Sequence, residues 1–352
     1  MAIFVLKKAS FLCILVFYQL PCMPVVKKDK TISTPETYLF LGVRMVIHVA
    51  GEQTDKQFSL IEGFMPPGGD NGLHVHEHTD ESMYLISGEL EVSIGNWQFT
   101  LQPGESYFAP RNVPHRLRNT GKAVARTIAI DTPGYFADLI RNAGTPLKGT
   151  EIPQEPLTPQ EIAETGLLSE QFGSRILVPP HEAGTVEYTG KPPIYKRPVY
   201  KREQETYLFF GVPMLVHLAG IETGNELSLL ESVMPDGCDS GLHAHANEDE
   251  CIFMLSGELE ITIGSRCFIL KAGASCFVPR NVPHRLRNKK TRGARALQLY
   301  TPGTLDPFIK LAGIRIKGPH DIVSPYPSPD QIGPILLLSE EYDFNMLIPP
   351  GM

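Results

Sequence analysis

Four residues of the kinds that ligate metals occur twice at one spacing: His74, His76, Glu81 and His115, then His243, His245, Glu250 and His284. The two sets are offset by 169 residues at every position, as 284 − 115 shows for the last histidines. Residues two apart in a strand project to one face, so each His-x-His pair aims both imidazoles the same way. The glutamate follows after a turn and is expected on the next strand, folded back toward the imidazoles. The third histidine lies in the decapeptide PRNVPHRLRN, which stands at 110–119 and again at 279–288. Three neutral nitrogens and one carboxylate suit a divalent first-row transition metal. Imidazole fits iron, copper and nickel, and the carboxylate extends the choice to manganese. Four protein ligands around an octahedral ion leave two positions open, for substrate and for O2 or water. A single His-x-His pair would say little, but the complete set in fixed Gly and Pro surroundings, twice over, is a specific signal.

The elements that must position these side chains are duplicated with them. YLFLGVRMVIHVAG from Tyr38 faces YLFFGVPMLVHLAG from Tyr207, SGELEVSIG from Ser87 faces SGELEITIG from Ser256, and the TPG at Thr132 faces that at Thr301. Near the end the offset becomes 170, where LLSEQFGSRILVPP from Leu167 faces LLSEEYDFNMLIPP from Leu337. A period this long exceeds the ~20–50 residues of solenoid repeats, so the chain is read as two tandem domains. Each is large enough to bury its own core. The spacing predicts a leader at 1–24, a first domain at 31–185, a Pro- and Lys/Arg-rich extended linker at 186–203 and a second domain at 204–352. Within each copy, short β-rich runs alternate with Gly, Pro and Asn, and ELEVSI alternates strictly, as a half-buried strand does. An all-β fold of two jelly-roll barrels is expected, with short helices at the end of each copy. YFADLIRNAG from Tyr135 reads as one helix, stopped by Gly144 as a left-handed C-cap. Thr158-Pro159-Gln160-Glu161 carries an N-cap, a proline at the first helical position and a capping-box glutamate, and Ser328-Pro329-Asp330-Gln331 repeats that start.

With 32 Lys+Arg against 39 Asp+Glu the chain is mildly acidic, and no basic stripe with interleaved aromatics suggests nucleic acid. Lys7 and Lys8 precede an apolar run at 11–20, too short to span a bilayer but suited to a signal-peptide core. Secretion is expected on that pattern, with a cytoplasmic protein as the alternative. Cys238, Cys251, Cys267 and Cys276 face Gly69, Ser82, Gln98 and Tyr107 in the first copy, so the fold needs no disulfide there. Buried free thiols are expected, since free Cys behaves as a small hydrophobe. Arg116 and Arg118 alternate away from His115 and are expected to face solvent or an interface rather than the metal. His48 and His217 are read as structural, and His78, without a counterpart histidine, as a surface residue.

These motifs resemble the cupin superfamily, and the chain looks like a bicupin. Gly68, His74, His76, Glu81 and Gly88, with Gly237, His243, His245, Glu250 and Gly257, match the first cupin motif. Gly104, Pro110, His115 and Asn119, with Gly273, Pro279, His284 and Asn288, match the second. Asn112 and Asn281 stand where the family often has glycine, a departure that Asn tolerates because it accepts positive φ. The resemblance implies double-stranded β-helix barrels with one metal per domain, iron first, with manganese, nickel or copper as alternatives. The Tyr…Gly start, the GLHxH…DE…SGELE core and the capped C-terminal helix are similar to quercetin 2,3-dioxygenase-like proteins. That similarity implies a dioxygenase cleaving a flavonol-like or other enolic aromatic molecule with O2, with Glu81 and Glu250 as bases. The alternatives are a non-redox metal enzyme (decarboxylase, isomerase or lyase) and a binding or storage bicupin. Oxalate decarboxylase-like bicupins usually carry an arginine just before the His-x-His pair, where this chain has Gly72-Leu73 and Gly241-Leu242. A small-molecule substrate is the expected partner, with no stable membrane span. The chain would be a monomer with its two barrels packed together, or a homo-oligomer.

Overall fold

The computed structural model describes residues 34–150, 157–189, 199–201, 203–290, 292–319 and 329–350. The leader at 1–24, linker residues 190–198 and Ser328 of the second helix start lie outside them. The first copy folds into two facing antiparallel sheets. The larger runs in the order Thr145–Pro146, Glu36–Phe40, Val43–Val49, Ser59–Met65, Ala125–Thr132, Asp80–Ser87, Ser106–Ala109 and Val199–Lys201. The smaller runs Ser174–Val178, Leu73–His76, His115–Arg118, Leu90–Ile94 and Trp97–Leu101. Between them lies a core that includes Leu85, Leu90, Val92, Ile94 and Leu101. The strict alternation of LEVSI puts Leu90, Val92 and Ile94 inward and the residues between them half out, as period-two side chains require.

The second copy repeats the arrangement. Its larger sheet runs Ser275–Val278, Asp249–Ser256, Ala294–Thr301, Ser228–Met234, Val212–Leu218, Glu205–Phe209 and Ile314–Ile316. Its smaller sheet runs Arg266–Lys271, Glu258–Ile263, His284–Arg287, Leu242–His245 and Phe344–Ile348. The two barrels share one apolar core, in which Phe58, Leu60 and Phe108 of the first meet Leu229, Phe253 and Phe277 of the second. Phe58 and Phe277 pack edge to face, their centroids 5.8 Å apart. The end of the linker is more than a spacer, because Val199–Lys201 adds a strand to the first barrel beside Ser106–Ala109. Tyr200 stacks on Phe99 at 3.9 Å, which holds that strand in place.

Among the described residues four α-helices accompany the barrels: α1 (Phe136–Ala143), α2 (Pro159–Glu170), α3 (Leu305–Ala312) and α4 (Pro329–Ser339). Thr158 caps α2 through the expected capping box with Glu161, and Pro159 opens the helix. Gly144 departs from expectation. It follows α1 with φ −88° and ψ 155°, extended rather than left-handed. A side chain there would come within 2.6 Å of the Ile140 carbonyl oxygen, so close backbone approach, not handedness, is what glycine serves. Asn112 and Asn281 sit at φ 65° and 64°, the left-handed turn anticipated for the decapeptide. The four cysteines of the second copy are free, three buried and Cys267 exposed. Among the described residues no helix is long and apolar enough to cross a membrane.

Candidate metal centres

The three histidines of each set come from the smaller sheet and the glutamate from the larger one, so each set lies between the two sheets. His74 pairs directly with His115 across the strands, and His243 with His284. In each set the potential ligand atoms all lie within 4.8 Å of one another, and all four residues are buried. That is close to the span of donors arranged ~2.1 Å around a single ion. Ring centroids stand 4.3–5.1 Å apart in the first set and 4.2–5.2 Å apart in the second.

Tautomers are fixed by the backbone. The Nδ1 of His74 faces the Gly72 carbonyl at 3.0 Å, that of His115 the Val113 carbonyl at 3.0 Å, and those of His243 and His284 the carbonyls of Gly241 and Val282 at 3.1 and 2.9 Å. A carbonyl only accepts, so Nδ1 carries the proton and the Nε2 lone pair points into the centre. The Nε2 atoms of His76, His115 and His245 are buried without a hydrogen-bond partner, and Nε2 of His284 and Oε2 of Glu250 face each other 2.9 Å apart, where with Nδ1 protonated two lone pairs meet. Buried polar atoms are rarely left so, and a cation at each centre would satisfy them together. The donor set therefore fits a transition metal, one per barrel.

Electrostatics prepare the ligands. Burial, reinforced by the neighbouring imidazoles, pushes His74 and His243 well below the ordinary histidine value and takes His245 down to about 3. These rings are neutral at physiological pH and able to donate lone pairs. Burial opposes ionisation of Glu81, but His115 and His76 outweigh it and hold the carboxyl well below its usual value. In the second barrel His284, His245 and Gln298 likewise outweigh burial at Glu250.

The surroundings differ between copies. Tyr107 donates its hydroxyl to Oε1 of Glu81. Oε1 of Glu250 instead accepts from Gln298 Nε2 at 2.9 Å and from the Tyr300 hydroxyl at 3.2 Å. Burial, then the adjacent carboxylate, raises both tyrosines far above their ordinary value, so they remain donors. Buried Glu248 stands 4.0 Å from Nδ1 of His245, at the position of Thr79 in the first barrel. These supporting residues are not apparent from the duplicated motifs. They occupy positions where the copies disagree: Tyr107 against Cys276, Ala129 against Gln298, and Asp131 against Tyr300.

The remaining singled-out residues lie apart from the metal centres. Arg116 points away from the centre as expected but is buried, pairing with both oxygens of Asp70 at 2.9 and 2.6 Å. Arg118, more exposed, pairs with Glu91. His48 and His217 are buried where the barrels meet, His48 against Glu62 at 2.9 Å and His217 against Glu231 at 3.2 Å. The His48 ring packs on Phe253, and the His217 ring on Tyr84. His78 is exposed. Arg111, the second residue of the decapeptide, is not marked by spacing. It grips Asp80, just before Glu81, through its backbone N–H at 2.6 Å and its guanidinium at 2.8 Å, and reaches Glu226 of the second barrel at 3.0 Å.

Two jelly-roll barrels in one chain, each enclosing three histidines and a glutamate on the same strands, define a bicupin, and this chain is one. Residues 63–131 and 229–300 each match the Cupin_2 family, the cupin domain. The chain is 23% identical over 287 residues to quercetin 2,3-dioxygenase of Bacillus subtilis, covering 80% of this chain and 85% of that protein. It is 27% identical over 93 residues to an uncharacterised protein of Methanocaldococcus jannaschii, covering 26% of this chain and 74% of that one. Among solved structures it is similar in fold to oxalate decarboxylase of Bacillus subtilis, with a TM-score of 0.54 at 17% identity over 78% of this chain and 75% of the other.

Proposed function

We propose that the protein is a metal-dependent dioxygenase that cleaves an enolic aromatic molecule of the flavonol type with O2. The observation that carries this reading is the wall of the two pockets beside the ligand sets. Among the described residues, neither is lined by a lysine or an arginine. A small dicarboxylate placed there would have the metal as its sole positive partner, itself partly neutralised by the glutamate, and its second charge would be buried without a cationic side chain, a cost of several kcal/mol for a desolvated ion. A flat, neutral ring loses little on entering, and its enol O–H provides the one group that must be ionised. Similarity to a quercetin 2,3-dioxygenase over most of both chains supports the same substrate class.

In the first pocket Phe40, Met45, Met83 and Phe136 form apolar walls, and Glu81 is among the lining residues. The Tyr107 hydroxyl fixes Oε1 of Glu81, which leaves Oε2 to take the enol proton. Tyr107, kept protonated by burial and by Glu81 itself, donates to the carboxylate rather than competing for the proton. A bound transition metal, with iron expected first and manganese, nickel or copper admissible to the same donors, would supply open positions for the enolate and O2. The apolar wall limits the water that reaches the reacting ring.

The test is O2 uptake by the purified chain, reconstituted in turn with each of the four metals and given quercetin. Uptake matched by loss of the flavonol absorbance is expected with at least one metal. Full metal loading with no uptake on quercetin or on simpler enols would overturn the dioxygenase assignment.

A further inference from the structure

The two pockets have the same ligands and different room. The cavity beside the first set is about 70 Å³ and that beside the second about 50 Å³, and with the adjoining space open to solvent the two are about 780 and 490 Å³. Side chains at equivalent positions differ: Leu305, in place of Phe136, is smaller in the second pocket, and four others are bulkier. Phe210 stands where the first barrel has Leu41, Ser232 where it has Gly63, Gln298 where it has Ala129, and Phe344 where it has Ser174. Phe344 makes the most direct intrusion. Ser174 and Phe344 occupy the same register, each directly across the strands from the second ligand histidine, His76 or His245. The Phe344 ring stacks on His243 at 4.9 Å with 23° between planes and lies 5.2 Å from His245. A second consequence concerns the carboxylate. Glu81 lines the first pocket, whereas Glu250 does not line the second, where Gln298 and Tyr300 do and both bond to its Oε1.

We propose that the two centres discriminate substrates by size, with residue 174 in the first barrel and residue 344 in the second as the determinants. The first pocket takes a multi-ring aromatic enol, and the second admits only a single-ring one. Well-packed side chains resist insertion of extra atoms, so Phe344 cannot yield a ring's worth of space without displacing Phe209 and Phe308, which its ring touches at centroid distances of 6.2 and 5.3 Å. The inference rests on the aromatic-enol reading for its choice of ligand, but not on any turnover.

The experiment is calorimetric titration of the metal-loaded full chain without O2, using 3-hydroxyflavone as the multi-ring probe and catechol as the single-ring probe. The expected counts are one 3-hydroxyflavone and two catechols per chain. Phe344→Ser is expected to raise the 3-hydroxyflavone count to two, and Ser174→Phe to remove the one that wild type binds, with metal content unchanged at two in both. Should Phe344→Ser fail to retain metal, Phe344→Leu serves in its place and is expected to admit the second 3-hydroxyflavone with weaker affinity. Equal counts for the two probes in wild type, at any value including zero, would overturn the proposal. So would an unchanged 3-hydroxyflavone count in metal-loaded residue-344 variants. A chain that gives the expected counts yet consumes no O2 would sink the dioxygenase reading and leave size discrimination standing.

Discussion

The first and second barrels present identical ligand sets from equivalent strands, yet each holds its glutamate by different partners. In the first, one tyrosine from Ser106–Ala109 anchors Glu81. In the second, two side chains from Ala294–Thr301, Gln298 and Tyr300, anchor Glu250 and cover it from the pocket. The duplicated chain has kept the geometry that suits an ion and changed what surrounds it. In both barrels the donors bind Oε1 of the glutamate, and the two differ in access, since Glu81 lines its pocket and Glu250 does not. On the proposed reading Glu81 is therefore the better placed of the two to take a proton from a multi-ring substrate.

The largest effect that can break this comparison is in turnover. Glu81→Gln is expected to lower kcat by about 10²–10⁴-fold, the usual contribution of a positioned general base. Glu250→Gln is expected to cost distinctly less on the same multi-ring substrate. Steady-state kinetics on metal-loaded variants decide it, and equal losses would show that the different anchoring carries no functional weight.

A smaller effect separates the two copies of a buried ion pair. Arg116 and Asp70 have side chains 8% and 5% exposed, while their counterparts Arg285 and Asp239 are 14% and 11% exposed. Breaking the better-buried pair with Arg116→Ala is expected to cost about 3–5 kcal/mol. Arg285→Ala is expected to cost less, about 1–3 kcal/mol. Burial opposes ionisation of Asp70, but Arg116 and the backbone N–H groups of His181 and Gly72 outweigh it and depress its pKa. The stability that Arg116 provides is therefore full above the unfolded-state value of about 3.9 and is lost as pH falls through the lower folded value. Urea denaturation of wild type and Arg116→Ala at a series of pH values should show the gap closing only in acid. A gap that instead widened below about pH 4 would contradict the assigned sign.

The smallest effect concerns the contacts between barrels. Arg111 bonds Asp80 and, across the interface, the carboxylate of Glu226, whereas Arg280 bonds Asp249 and the neutral amide of Gln57. Arg111→Ala is expected to cost about 1–3 kcal/mol. Arg280→Ala should cost less, because its hydrogen-bonded cross-barrel partner is an uncharged amide and the charge of Asp55 in the first barrel acts on it less than that of Asp249 or Glu248. Thermal denaturation of the two variants measures the difference, and an equal shift in Tm would remove charge as its cause.

Much of the fold and the eight residues of the two clusters are legible in the sequence because they depend on local rules. Alternation places Leu90, Val92 and Ile94 inside, two-residue spacing aligns His74 with His76, and the Thr158 capping box announces α2. What is not legible depends on groups brought together by tertiary packing. The identical decapeptides give no hint that Arg111 and Arg280 reach different partners, since those partners, Glu226 and Gln57, come from the opposite barrel. Strand alternation turns Arg116 from the metal and so predicts solvent or an interface. Alternation cannot show that Asp70 waits on that side to bury it. Tyr107, Gln298 and Tyr300 are hidden for a related reason, lying outside the matching motifs at positions where the two copies differ.

The most direct test of the account is the metal content of the purified full chain and of His115→Ala and His284→Ala, measured by plasma mass spectrometry after reconstitution and desalting. Two structurally separate centres predict about two metals per chain for wild type and about one for each variant. Content that stayed near two in both variants would contradict the ligand assignment, and with it the comparison between the barrels.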